Sequence, residues 1–137
     1  MPVLEFASVV WNCISKTRVN MIEGVQRRFL RSYNYRFPGI SVCMNMPPLF
    51  KRRIYRDLLF LYNCLHNLTD SMAVVSKLNF YAPSRTTRLQ RLFYVNGSCS
   101  DRSPSRRIQI MYNTHCSSLD LLSTDICSFK SALRAIL

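Results

Sequence analysis

The chain has 137 residues, of which 48% are hydrophobic, and this is enough for one modest domain with a real core but not for two independent domains. Its formal net charge is +12, which favours a polyanionic partner, nucleic acid before an anionic membrane surface, although a merely soluble basic surface is also compatible. The longest apolar runs fall far short of the roughly 18 residues that a membrane span needs, so no membrane-embedded function is expected.

The first segment, residues 3–11, is apolar nearly all round and predicts a buried helix, although the Val9–Val10 pair leaves a strand open. A second helix is predicted from about Arg18 to Tyr33, with Ile22, Val25 and Phe29 on one stripe and Arg27 and Arg31 on the opposite side. Such a helix would pack through its apolar stripe and offer positive charge to a phosphate backbone.

A third helix is predicted from Leu49 to His66, after a turn at residues 37–39 and a stiff connector at residues 46–48. Its apolar face is formed by Phe50, Ile54, Leu58, Leu61 and Leu65, opposite Arg52, Arg56 and Asn63. The arginine side is either a binding face or the solvated back of a plain core helix. Asp57 is interpreted as a surface partner of Arg53 at the i, i+4 spacing.

Residues 68–107 lack a clear period and are predicted to be a long basic loop, with a hint of a hairpin arm in residues 92–95 before Asn96–Gly97. The loop mixes arginines with aromatic residues, a combination that neutralises phosphates and stacks bases, although a basic disordered loop is the alternative. The members are Arg85, Arg88, Arg91, Arg102, Arg106, Arg107, Tyr81, Phe93 and Tyr94.

The last segment predicts a helix that docks onto the others. Ser123 or Thr124 is its expected N-cap. Its apolar face comprises Ile126, Phe129, Leu133, Ile136 and Leu137. Lys130 and Arg134 balance Asp120 and Asp125, so the whole positive excess lies in residues 1–107.

The six cysteines are widely spaced, and the first eleven residues lack both a basic start and a small-residue cleavage site. We therefore expect free thiols in an intracellular compartment, cytoplasmic or nuclear. No CxxC motif occurs, and His115–Cys116 lacks a second ligand pair, so no metal and no cofactor is predicted.

Several segments together resemble one family, the reverse transcriptases of non-LTR retrotransposons, in the region C-terminal to the polymerase palm, especially in arthropod elements. The matching pieces are residues 4–11 with Ile22–Glu23 and residues 25–31; then Leu49, Arg52–Arg53 and residues 57–62; and near the end Tyr112–Asn113 and residues 128–133. Gly24 inside a helix and Met111 before Tyr112–Asn113 depart from the family pattern. The order and spacing of these pieces extend the resemblance over nearly the whole chain.

The resemblance and the helical periodicity together predict an all-α fold. We expect a small bundle of about four helices with a long basic loop and room for a short hairpin. Residues 1–137 would form a single partial domain, with a helical part at 1–67, a basic loop-rich part at 68–107 and a C-terminal part with the final helix at 108–137. The family resemblance implies a truncated piece of an RNA-directed DNA polymerase.

Catalysis is not expected of this chain. Polymerase chemistry requires clustered carboxylates that hold two divalent ions about 4 Å apart, and the seven acids of the chain are scattered singly. A Gly-rich phosphate loop and a GxSxG motif are also missing from the sequence. No catalytic residue is therefore predicted.

The sequence predicts a non-catalytic accessory piece that binds RNA template or target DNA with low specificity, without a membrane partner, next to the upstream polymerase domains of a parent protein. Alternatives are a free-standing small basic nucleic-acid-binding protein and a helical protein-interaction module that uses the Phe50–Leu65 face. The first candidates for contact with nucleic acid are Arg27, Arg28, Arg31, Arg52, Arg53 and Arg56. The second are Arg85, Arg88, Arg106 and Arg107.

Overall fold

The computed structural model describes residues 5, 7–38, 46–82, 85, 91–95, 97 and 103–137. Within these residues the chain forms six helices and no strand beyond one isolated bridge, so the predicted all-α class is confirmed. The helices are α1 Ser8–Trp11, α2 Lys16–Arg36, α3 Leu49–Leu65, α4 Met72–Val75, α5 Pro104–His115 and α6 Ile126–Ile136.

Helix α3 is the centre of the fold, because α1, α2, α4, α5 and α6 all contact it. Its buried side chains therefore go round most of the helix instead of forming one stripe, and they include the charged pair Arg53 and Asp57. Phe50, which was predicted to lie on the apolar face, is 45% exposed. The main core joins Leu58 and Leu61 of α3 to side chains of the two C-terminal helices: Ile108, Tyr112, Phe129 and Leu133.

Helix α2 packs through a different side from the one predicted. Val25 and Phe29 are about half exposed, and Gln26 is the one buried residue of the helix. Polar bonds attach α2 to α3: the Phe50 amide donates to Glu23 Oε1 at 2.8 Å, and Arg52 Nη2 donates to Gln26 Oε1 at 2.5 Å. The apolar stripe was a misleading guide because the packed side of α2 is anchored by side-chain hydrogen bonds.

The predicted helix over residues 3–11 is shortened to α1 in the described residues. Ala7 adopts a left-handed conformation with φ 49°, which an α-helix does not continue through, and the helix begins at Ser8. Val10 is 67% exposed, so the segment is not buried all round. Val3, Leu4 and Phe6 lie outside the described residues.

Part of the basic segment 68–107 is ordered by short elements. Helix α4 lies within it, and Phe80 forms an antiparallel bridge with Phe93, flanked by bonds from the Tyr81 amide to the Leu92 carbonyl and from the Tyr94 amide to the Asn79 carbonyl. The arm at residues 92–95 thus pairs with residues 79–81, upstream of it. Pro104 begins α5, which places Arg106 and Arg107 on a helix, not in a loop.

The arm is fixed by Asn113 of α5. Its side-chain amide accepts from the Phe93 amide at 3.2 Å and donates to the Phe93 carbonyl at 2.8 Å, which imitates the pairing of a neighbouring strand. The Phe93 ring packs edge-on against Tyr112 at 5.4 Å between centroids. The Tyr112–Asn113 pair singled out in the sequence therefore has a structural role.

Helix α6 occupies the predicted position, but its cap is Asp125 and not Ser123 or Thr124. The Asp125 side chain accepts from the Cys127 amide at 2.9 Å. Phe129 and Leu133 are fully buried as expected, while Ile136 is 41% exposed.

Candidate nucleic-acid interface

The first three candidate arginines lie on α2 and are exposed. Arg27, Arg28 and Arg31 all project from the part of the helix that α3 does not cover. The same helix carries Lys16, Arg18 and Arg36, which are exposed as well. The six side chains spread round the whole exposed part of the helix, and we call this surface the α2 basic face: Lys16, Arg18, Arg27, Arg28, Arg31 and Arg36.

The α2 basic face is not neutralised from within its own helix. Glu23 is the one acid among residues 16–36, and its carboxylate accepts the hydrogen bond from the first turn of α3. A helix of 21 residues is about 31 Å long at 1.5 Å per residue, so the charges are spread along an extended rod. This geometry suits a polyanion that runs beside the helix.

The α3 arginines have partners inside the fold. Arg52 and Arg56 both form ion pairs with Glu5, the second at 2.7 Å between Arg56 Nη2 and Glu5 Oε2, and Arg52 also binds Gln26. Arg56 keeps about half of its side chain exposed, whereas Arg52 keeps a fifth. Of the three candidate arginines on α3, Arg52, Arg53 and Arg56, only Arg56 retains substantial access to solvent.

Arg53 is buried, with 1% of its surface exposed, and its guanidinium lies over the Trp11 ring at 4.6 Å from the centroid. Burial lowers its pKa from the ordinary value, and the nearby carboxylates of Glu23, Glu5 and Asp57 oppose that shift. Its cation–π contact ties α1 to α3. A buried guanidinium is not available to a phosphate.

Arg107 is also buried and belongs to the interior. Its Nε donates to Asp57 Oδ2 at 3.2 Å and its Nη2 to the Val9 carbonyl at 2.6 Å. Asp57 is fully buried, which corrects its interpretation as a surface partner of Arg53. Burial raises the pKa of Asp57, and the charge of Arg107 and the hydrogen bond from Asn12 oppose this.

The remaining loop candidates are dispersed. Arg85 is exposed, Arg88 lies outside the described residues, and Arg106 is half-buried with its Nη1 donating to the Gly97 carbonyl at 3.2 Å. Tyr81 and Tyr94 are exposed, but Phe93 is in the core. The structure thus does not gather these predicted residues with those of α2 into one described site.

The sequence reasoning missed an aromatic cluster at the C-terminal end of α2. The ring centroids of Phe29 and Tyr33 are 6.3 Å apart, and those of Tyr33 and Phe37 are 5.1 Å apart. Tyr35 is 90% exposed, and Phe29 and Phe37 are each 48% exposed. The repeated aromatic residues between Arg28 and Pro38 are the signal for this cluster in the sequence, but the apolar stripe of α2 predicts Phe29 to be packed.

The described part of the chain holds neither a cluster of metal-ligating side chains nor a helix that could span a membrane. Its His, Cys, Asp and Glu side chains form no group of three or more that could hold a metal ion. None of its helices is long and apolar enough to cross a membrane. Cys13 and Cys127 are exposed free thiols, and Cys64 and Cys116 are buried ones.

Comparisons with known protein families, with curated proteins and with solved structures give no match to this chain.

Proposed function

We propose that this chain is the non-catalytic C-terminal part of a non-LTR retrotransposon reverse transcriptase, and that it holds RNA template or target DNA through the α2 basic face. The observation that carries the binding proposal is the set of six exposed cations on one helix whose single acid is already hydrogen-bonded. The family origin is supported by the resemblance of the ordered sequence segments described above.

The charge distribution favours α2 over α3 as the binding element. Arg53 and Arg107 are buried, and Arg52 and Arg56 share the carboxylate of Glu5. Moving them to a phosphate would break internal ion pairs, whereas Arg27, Arg28 and Arg31 are presented to solvent by a formed helix. Electrostatic binding of this kind is tolerant of sequence because it reads only the backbone.

Two alternative functions have less support than this proposal: a free-standing nucleic-acid-binding protein and a helical protein-interaction module. A free-standing basic nucleic-acid-binding protein would use the same α2 basic face and differs only in ancestry. A helical interaction module would need the Phe50–Leu65 face, but Leu58 and Leu61 on that face are covered by the chain's own helices. Coding capacity for a polymerase palm upstream of this chain would separate the fragment from the free-standing protein.

The binding proposal is tested by the salt dependence of affinity for a labelled RNA oligonucleotide. The logarithm of the binding constant should fall with the logarithm of salt concentration by about 0.7 to 0.9 per neutralised phosphate. Replacing Arg27, Arg28 and Arg31 together by Gln should flatten the slope by about 2 to 3, because each arginine covers one phosphate.

A matched variant removes the same charge elsewhere. Lys77 and Arg134 are exposed, Lys130 is half-buried, and all three lie outside α2 and outside the arginines predicted to contact nucleic acid, so replacing them by Gln keeps the net charge equal to that of the α2 variant. The control should retain most of the wild-type slope. Equal flattening by both variants would show a diffuse effect of net charge and would contradict the assignment to α2.

A further inference from the structure

The C-terminal end of α2 combines exposed rings with exposed cations. Phe29 and Tyr33 of α2 and Phe37, the residue after the helix, follow one another with neighbouring centroids 6.3 and 5.1 Å apart, and Tyr35 has 90% of its surface exposed. Together with Arg31 and Arg36 they line an open groove of about 900 Å³. We call this surface the α2 aromatic groove.

The rings of the α2 aromatic groove are not part of the core. The core cluster contains residues of α3, α5, α6 and the segments between them, and Phe29, Tyr33 and Phe37 are absent from it. Leaving large rings half in water costs hydrophobic free energy, so this contiguous set of exposed rings is a candidate binding surface. The apolar surface is interleaved with guanidinium groups and with no carboxylate among the groove residues.

We propose that the α2 aromatic groove is a stacking platform for unpaired bases, so that the preferred ligand of the α2 basic face is a single strand rather than a duplex. Arg31 and Arg36 would neutralise backbone phosphates while Phe29, Tyr35 and Phe37 stack on bases. Charge complementarity identifies the occupant, because a cationic groove with aromatic walls matches a chain of flat rings on an anionic backbone. In a duplex the faces of the bases are already stacked on one another, so they are not accessible to the aromatic side chains of the groove.

This inference rests on the proposed nucleic-acid binding and adds the strand state of the ligand. The two are separable, because the basic face acts through phosphates and the groove through bases. Removing rings should therefore affect the preference for single strands without changing the salt slope.

The test compares a fluorescent 15-nucleotide uridine RNA with a duplex RNA of equal length at one salt concentration. Wild-type protein should bind the single strand about tenfold more tightly or better. Replacing Phe29, Tyr35 and Phe37 together by Leu should weaken single-strand binding by about tenfold or more, leaving duplex affinity and both salt slopes unchanged. Unchanged far-ultraviolet circular dichroism would show that the variant keeps its helices.

A matched control removes exposed rings from another surface. Tyr81 and Tyr94 are 38% and 53% exposed beside the Phe80–Phe93 bridge, so the pair Tyr81→Leu and Tyr94→Leu should leave the single-strand preference intact. Loss of preference in this control but not in the α2 variant would overturn the inference and place stacking on the arm.

Other outcomes are equally decisive. Salt-dependent binding that is equal for single strand and duplex would retain the proposed function and overturn the stacking platform. Binding to vesicles of phosphatidylserine, lost in the α2 ring variant, without binding to either RNA would overturn both and assign the groove to an anionic membrane surface.

Discussion

Single residues decide which arginines of this chain face solvent and which belong to its interior. Arg107 and Arg106 are adjacent on α5, yet the first is buried against Asp57 and the second bonds the Gly97 carbonyl from a half-buried position. Two arginines in succession look alike in sequence. Their roles differ because a helix turns by about 100° per residue, which directs Arg107 to Asp57 of α3 and Arg106 to the Gly97 carbonyl.

The Asp57–Arg107 pair gives the first stability prediction. Arg107→Met should lower the free energy of unfolding by about 3 to 5 kcal/mol, because it leaves the buried Asp57 carboxylate without its ion pair and with the 3.3 Å hydrogen bond from Asn12 as its remaining side-chain contact among the described residues. Urea unfolding followed by circular dichroism measures the change.

Arg106→Met serves as the control for this prediction and should cost about 1 kcal/mol or less. Replacing both charged partners, Asp57→Leu with Arg107→Met, should recover much of the loss because no uncompensated charge remains. A double variant as unstable as Arg107→Met alone would contradict the account.

At the scale of elements, α2 and α3 are joined by an unusual cap. The N-cap residue of α3 is Pro48, whose side chain cannot accept a hydrogen bond from a backbone amide. The Phe50 amide instead donates to Glu23 Oε1 of α2 at 2.8 Å. A carboxylate at a helix N-terminus also interacts favourably with the helix dipole. The contact therefore fixes the position of the α2 basic face relative to the core.

Glu23→Ala should lower the free energy of unfolding by about 1 kcal/mol, the usual cost of losing an N-terminal cap. It should also leave the first turn of α3 less protected against amide hydrogen exchange at Phe50. Asp70→Ala removes an exposed acid from a segment between α3 and α4 and should change stability little. Equal effects of the two substitutions would attribute the loss to net charge instead of the cap.

The sequence predicted the long helices α2, α3 and α6 because each carries a run of helix-forming residues bounded by Pro or polar residues. It assigned the wrong packed side to α2, because Gln26 and Glu23 form their contacts with α3 residues that are distant in the chain. The Asp125 cap was missed because Ser123, Thr124 and Asp125 are all capable caps, and the sequence alone does not determine at which of them the helix begins.

The candidate site was predictable to a similar extent. Arg27, Arg28 and Arg31 could be found from charge alone, and their exposure agrees with a role at the surface. The burial of Arg53 under Trp11 could not be predicted, because it depends on α1 crossing α3. The exposed rings of Phe29 and Phe37 were hidden by the usual assignment of large apolar residues to the core.

At the scale of the whole molecule, three titratable groups, Tyr62, Tyr112 and Cys116, lie in the core that joins the C-terminal helices to α3. Tyr112 and Cys116 are both buried members of this core. Burial raises the pKa of Tyr112 from 10.0 to about 12 and that of Cys116 from 9.0 to about 11. Both groups are held neutral in the folded chain, because their anions would be desolvated.

These shifts predict how global stability depends on alkaline pH. Each group has a folded pKa above its unfolded pKa, so its contribution to stability is complete below pH 9.0 and is lost progressively as the pH rises through about 11 for Cys116 and about 12 for Tyr112. The unfolded state loses its protons first, and this pulls the equilibrium toward unfolding. The free energy of unfolding should therefore decrease steadily above pH 9.0.

The loss of stability at alkaline pH should affect the whole fold, because the core connects the helices through α3. Fluorescence of Trp11 in α1, remote from Cys116 along the chain, and far-ultraviolet circular dichroism should report one coincident urea transition at each pH. Cys116→Ala should lower stability at neutral pH but show a shallower decline between pH 9.0 and 11, since the Cys116 thiol no longer contributes to that decline. Cys127→Ala, at an exposed thiol, should keep the wild-type pH dependence, and an equally shallow decline in that variant would contradict the assignment to Cys116.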